Sequence, residues 1–158
     1  MLDGLIKPEP LMEKTKALGR DAVALTDHGS LGGLAEFHKA AVKAGVKPIL
    51  GCEFYHDKGN HICHLILLAR NREGYRNLVK LNNLAQGHFY KKPRITDEMI
   101  RDNGRGLILL TACMAGWMAR SILAGEPDWE WFRAVSSWVD YAFLEAQNHG
   151  IEDEAKVR

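Results

Sequence analysis

The sequence predicts an α/β domain of about five parallel strands with flanking helices, because short apolar runs alternate with stretches of helical spacing. The apolar runs at 22–26, 46–54, 62–69 and 106–110 are bounded by Gly, Pro or turn residues, as buried strands are. Two of them end in metal-ligand types, in Thr26-Asp27-His28-Gly29 and Gly51-Cys52-Glu53. Side chains at the C-terminal ends of successive parallel strands converge on one rim, where α/β barrels carry out chemistry. With 158 residues the chain suits one domain with a substantial core.

In chain order, Pro8 can open a helix, with Leu11, Lys14, Thr15 and Leu18 at helical spacing until Gly19 stops it. Residues 22–26 form the first strand. A helix over 33–44 presents Leu34, Phe37, Ala41 and Ala44 on one face and ends at Gly45. The second strand lies within 46–54, and Asp57-Lys58-Gly59-Asn60 is a turn cluster. The almost continuously apolar run 62–69 reads as a strand buried on both faces. A helix over 73–85 puts Tyr75, Leu78, Leu81 and Leu84 in register, and Thr96 caps a short helix carrying Met99 and Ile100. A strand at 106–110, helices at 115–123 and 128–138, and a strand at 141–146 complete the order. Such alternation implies parallel crossover units, but five strands are too few for a closed barrel of roughly eight. An open sheet and a piece of a larger barrel both satisfy it.

Composition narrows the function. Formal net charge is +1, which by itself gives no strong polyanion-binding surface, although a local patch is compatible with it. No apolar run approaches the roughly 18 residues that span a bilayer, and Met1-Leu2-Asp3-Gly4 does not begin a signal peptide. A cytoplasmic chain without membrane partners is therefore expected. Cys52, Cys63 and Cys113 lie in or beside apolar runs, which favours buried thiols or one metal thiolate over disulfides.

Each candidate side chain has a structural alternative. His28 can point into a barrel mouth as a ligand, or cap the following helix. Asp27 faces the other way by strand parity and suits a hydrogen-bonding partner behind the ligands. Glu53 follows a very apolar strand, so its carboxylate needs a cation, either a metal or a lysine. His56 and His61 flank the turn and read as solvated, while Cys63 and His64 alternate onto opposite faces of one strand. Cys113 stands at the same rim as His28 and Glu53, as a ligand or an unreactive thiol. In Phe89-Tyr90-Lys91-Lys92-Pro93-Arg94, the cations Lys91, Lys92 and Arg94 read as a loop that can contact nucleic-acid phosphate or remain solvated. Trp117, Trp129, Trp131 and Trp138 fall on helices and read as packing.

Several segments then occur in one order: residues 1–8, Thr26-Asp27-His28-Gly29, Gly51-Cys52-Glu53, residues 64–69, residues 89–94, and Ala112-Cys113-Met114-Ala115-Gly116. Together they resemble the PHP (polymerase and histidinol phosphatase) domain at the start of bacterial replicative DNA polymerase III alpha subunits. The resemblance implies a distorted seven-stranded (β/α) barrel whose rim holds up to three metal ions, zinc or manganese. It places ligands on Asp3, His28, Glu53, His64 and Cys113. The family pattern also has a His-x-His strand before the Leu-Asp-Gly segment and a late Asp-x-His strand. Neither is in this sequence, so residues 1–158 are expected to form a partial PHP domain with at most one metal, on Glu53, His64 and Cys113.

The activity implied is metal-assisted phosphodiester hydrolysis, a 3′–5′ exonuclease in some relatives, with the rest of the alpha subunit, DNA and a proofreading subunit as partners. The polymerase carboxylates are not in this chain, which is expected to be inactive or weak alone. The alternatives are a stand-alone phosphatase similar to histidinol phosphatase and a non-catalytic structural or docking module. An unpaired edge on the 22–26 strand is expected to lower solubility.

Overall fold

The computed structural model describes residues 4–150 and 152–157. Helix α1 (Pro8–Ala17) starts on its proline and leads into strand β1 (Ala22–Leu25). Helix α2 (Leu34–Ala44) closes on Gly45 in the left-handed conformation (φ 70°), where a side chain would be strained. Strands β2 (Lys47–Lys58) and β3 (His61–Ala69) form a hairpin whose turn is tightened by the Gly59 N–H donating to Asp57 Oδ1 at 3.0 Å. Helix α3 (Arg72–Gly87) is capped by the Asn71 side chain. Strands β4 (Phe89–Tyr90) and β5 (Lys92–Ile95), helix α4 (Asp97–Asn103) and strand β6 (Leu107–Leu110) follow. Helices α5 (Trp117–Leu123) and α6 (Trp129–Ser136), strand β7 (Tyr141–Phe143) and helix α7 (Glu152–Val157) complete the order.

The sheet runs β4-β5-β2-β3-β6-β7, with β1 also paired to β2. The α/β class with flanking helices holds. Strand direction differs from the all-parallel expectation: β1 and β5 are parallel to β2, and β7 to β6, but β3 is antiparallel to both β2 and β6, and β4 to β5. The reason is local, since a two-residue turn can join only antiparallel strands. The 89–94 segment is likewise a β4–β5 hairpin and not a loop, with Lys91 at φ 61° in its turn.

The β2–β3 ladder divides the molecule. Cys52, Phe54 and His56 on β2, with Cys63, Leu65 and Leu67 on β3, are at most 1% exposed and face the main core. Leu78 and Leu81 of α3, Ile95, Ile100, Leu107 and Leu109 close that core. Residues 62–69 are therefore buried on one face and half-buried on the other, not buried on both. A second cluster, Met12, Phe37, Ala40, Ala41 and Val46, joins α1 and α2 to the start of β2. The half-buried face of the ladder carries Glu53, Tyr55 and His64. None of the described helices is long and apolar enough to cross a membrane.

Candidate metal centre

Glu53 is fixed by backbone on both edges of β2. On one edge its N–H donates to the Asp27 carbonyl (3.1 Å) and its carbonyl accepts from Gly29 N–H (2.9 Å). On the other it pairs with Ile66 of β3. The His28–Glu53 bridge continues the β1–β2 register, so both side chains share a face, while Asp27 and Cys52 take the opposite one. Gly29 adopts φ 59°, and a Cβ there would lie 3.1 Å from both Pro93 Cγ and Tyr55 Cε2. Only glycine suits that turn.

His64 enters from β3. It pairs with Tyr55, and its N–H donates to the Ala115 carbonyl at 3.1 Å, which ties the 111–116 segment against the ladder. That segment turns sharply at Ala112, whose φ of 61° is unusual for a residue with a Cβ. Gly116 allows the turn to close, since a Cβ there would collide with the Thr111 carbonyl.

Three side chains converge. His64 Nδ1 lies 2.6 Å from Glu53 Oε1, and His28 Nδ1 lies 3.6 Å from Glu53 Oε2. One ligand atom from each of His28, Glu53 and His64 falls within 4.8 Å of the others, a group able to hold a metal ion. Cys113 joins from the side, its Sγ 3.4 Å from His64 Nδ1 and accepting from Ala115 N–H. The Cys113 and Glu53 contacts push the His64 pKa up to about 9, and the same His64 contact lowers that of the Cys113 thiol. A carboxylate, an imidazole and a thiol side by side offer oxygen, nitrogen and sulfur donors, a set that zinc accepts.

Of the expected ligands, His28, Glu53, His64 and Cys113 gather at one rim, with His28 rather than Cys113 completing the tightest trio. Asp3 lies outside the described residues. Asp27 stands behind the trio: its carbonyl accepts from the Glu53 N–H and from the Cys52 thiol (3.4 Å). Cys52 and Cys63 are inert, buried thiols, and burial pushes Cys52 up to about 12. His61 is exposed as expected, but His56 is not solvated: it is fully buried, with Nε2 2.8 Å from Asp97 Oδ1. The cause is that β2 extends to Lys58 and its alternation turns His56 inward. Of the three cations on the β4–β5 hairpin, Arg94 is committed, donating to Asp57 Oδ2 (3.1 Å) and to the Tyr90 carbonyl (2.8 Å).

Tyr55 is the residue that sequence reasoning passed over. Its ring stacks with His28 at 6.2 Å between centroids and meets His64 edge-on at 5.6 Å. The available signal was parity, since Tyr55 stands two residues after Glu53 on the same strand.

The domain defined by this sheet and rim is a PHP domain: that family's model matches residues 1–152, and the chain belongs to the family. The chain is 39% identical to the DNA polymerase III subunit alpha of Treponema pallidum over 175 residues, covering 99% of the chain and 15% of that protein. With the subunit of the same name from Thermus aquaticus it shares 38% over 176 residues, covering 99% and 14%. The chain thus spans about 15% of the length of such relatives. A solved structure from Bifidobacterium adolescentis, described as that of a metal-dependent phosphoesterase, superposes with a TM-score of 0.60 at 13% identity, covering 98% of this chain and 77% of that one. At that identity the likeness concerns the fold.

Proposed function

We propose that this chain is the metal-dependent phosphoesterase module of a DNA polymerase III alpha subunit, with its hydrolytic centre on His28, Glu53, His64 and Cys113. The observation that carries the reading is the approach of His28 and His64 to the two oxygens of one half-buried carboxylate, Glu53. Imidazole nitrogen, carboxylate oxygen and thiolate sulfur form a donor set that zinc accepts, and manganese suits its nitrogen and oxygen members. A bound divalent cation would supply Lewis acidity toward a phosphoryl oxygen and a hydroxide nucleophile near neutral pH. Glu53 orients His64, Cys113 approaches the same imidazole, and Tyr55 packs beside both histidines and keeps water from their flank. Asp3 is included in the proposal as a further ligand.

The parent subunit's role in DNA replication, its polymerase activity and its contacts with DNA and a proofreading subunit are proposed from the relatives. We also propose that residues 1–158 make up part of a PHP barrel. Among the described residues, the outer edges of β1 and β7 carry no further strand, which supports that extent. The same edge gives a docking role its basis, because Tyr141, Phe143 and Leu144 are each about half exposed.

The test is metal content followed by hydrolysis. The purified chain is expected to retain zinc or manganese and to cleave a single-stranded oligonucleotide or a phosphodiester dye ester. Metal below about a tenth of an equivalent after incubation with either ion would leave the docking role in place of the hydrolytic one.

A further inference from the structure

The β4–β5 hairpin sits against the metal centre and divides its cations between two tasks. Arg94 pairs with Tyr55 along the β2–β5 ladder, is only 12% exposed and is held by Asp57 and the Tyr90 carbonyl. Pro93 fills the space over Gly29, next to His28. Lys91 occupies the turn, with its Nζ over Tyr90 at 5.6 Å. Lys92 differs from both. Its ammonium lies 4.1 Å from the centroid of Tyr55, the ring that stacks with His28 and meets His64. It is exposed and makes no ion pair among the described residues.

We propose that Lys92 is the anion anchor of this centre, binding a phosphoryl oxygen of a substrate phosphate seated over His28, Glu53 and His64, while Arg94 only holds the hairpin in place. This deepens the phosphoesterase reading and rests on it. The Glu53 carboxylate and the Cys113 thiolate of the proposed donor set would together offset a divalent cation, so a phosphate dianion seated there gains from a further cation at the rim. An ammonium on a flexible stem suits such a ligand, because it follows the oxygens without requiring a fixed planar geometry. The Tyr55 face keeps the ammonium at the rim when no anion is present.

The test uses the full chain loaded with manganese and inorganic phosphate as the probe, reading the broadening of the phosphate ³¹P line. The wild-type chain is expected to broaden the line saturably. Lys92→Ala is expected to weaken phosphate affinity about tenfold or more, with Lys92→Arg within about threefold of wild type. Manganese affinity, read from the signal of free manganese, stays within about twofold in both variants. Phosphate affinity that survives Lys92→Ala while manganese is bound overturns the anchor and leaves the phosphoesterase reading standing. A wild-type chain that takes up no manganese removes that reading and the anchor with it. In a second arm, a thymidine oligonucleotide of about ten residues competes with phosphate. Displacement weakened by Lys92→Ala assigns the anchor to nucleic-acid phosphodiesters, and absence of displacement assigns it to small phosphate esters.

Discussion

His64 pairs with Tyr55 across the antiparallel β2–β3 ladder, and this relationship sets an imidazole from the beginning of one strand beside a carboxylate in the middle of another. Because β3 turns back directly after Lys58, its fourth residue, His64, returns to the level of Tyr55, two positions past Glu53. The 2.6 Å contact between His64 and Glu53 is a product of strand direction.

Glu53 is shared by both histidines of the trio, so its loss weighs most on metal binding. Glu53→Gln is expected to lower zinc affinity about a hundredfold or more, and Cys113→Ala about tenfold. Titration against a competing chelator checks the ranking; equal effects would place the thiol and the carboxylate on the same footing.

The turn that presents Cys113 depends on Gly116. Gly116→Ala brings a Cβ into the Thr111 carbonyl and is expected to cost about 1–3 kcal/mol and to reduce zinc affinity as the 111–116 segment shifts. Thermal unfolding and zinc titration on the same preparation read both effects.

Asp97 accepts hydrogen bonds from His56 Nε2 (2.8 Å), Lys58 Nζ (2.9 Å) and Trp131 Nε1 (3.0 Å). Burial alone would raise its pKa, but the His56, Trp131 and Lys58 bonds outweigh burial and hold the carboxyl far below the usual range. A depressed carboxyl contributes stability above its unfolded pKa and loses it as pH falls toward the folded one. Asp97→Asn is therefore expected to cost about 2 kcal/mol or more at neutral pH, with the gap to wild type narrowing below about pH 4. Urea unfolding across that range shows the narrowing, and a constant gap would contradict it.

The β7 edge exposes Tyr141 (48%) and Phe143 (53%). The chain is expected to self-associate as concentration rises, and the double change Tyr141→Lys with Phe143→Lys to suppress this. Light scattering across a dilution series decides it.

Most of the helices and the strands of the core were legible in the sequence because their signals are local: Pro8 opens α1, Gly45 ends α2, and Thr96 caps α4 through the Met99 N–H. Strand direction was not, since periodicity reports which face is buried and carries no information on neighbours. The convergence of His28, Glu53 and His64 was accessible through motifs. The roles of Tyr55 and His56 were hidden because β2 extends past Phe54, where apolar character ends while alternation continues. The Phe89–Arg94 cations could not be separated by composition: Lys92 and Arg94 look equivalent until Asp57, which is remote from Arg94 in sequence, engages one of them.

Strand β2 alternates its duties, with Glu53 and Tyr55 on one side and Cys52, Phe54 and His56 on the other. The proposed metal site and the scaffold are thus written on interleaved positions of a single segment, touching different neighbours. A lineage can surrender its catalytic set by drift and still inherit an intact framework. The converse does not hold, because a change at Phe54 or His56 would remove the ground on which any enzyme here stands.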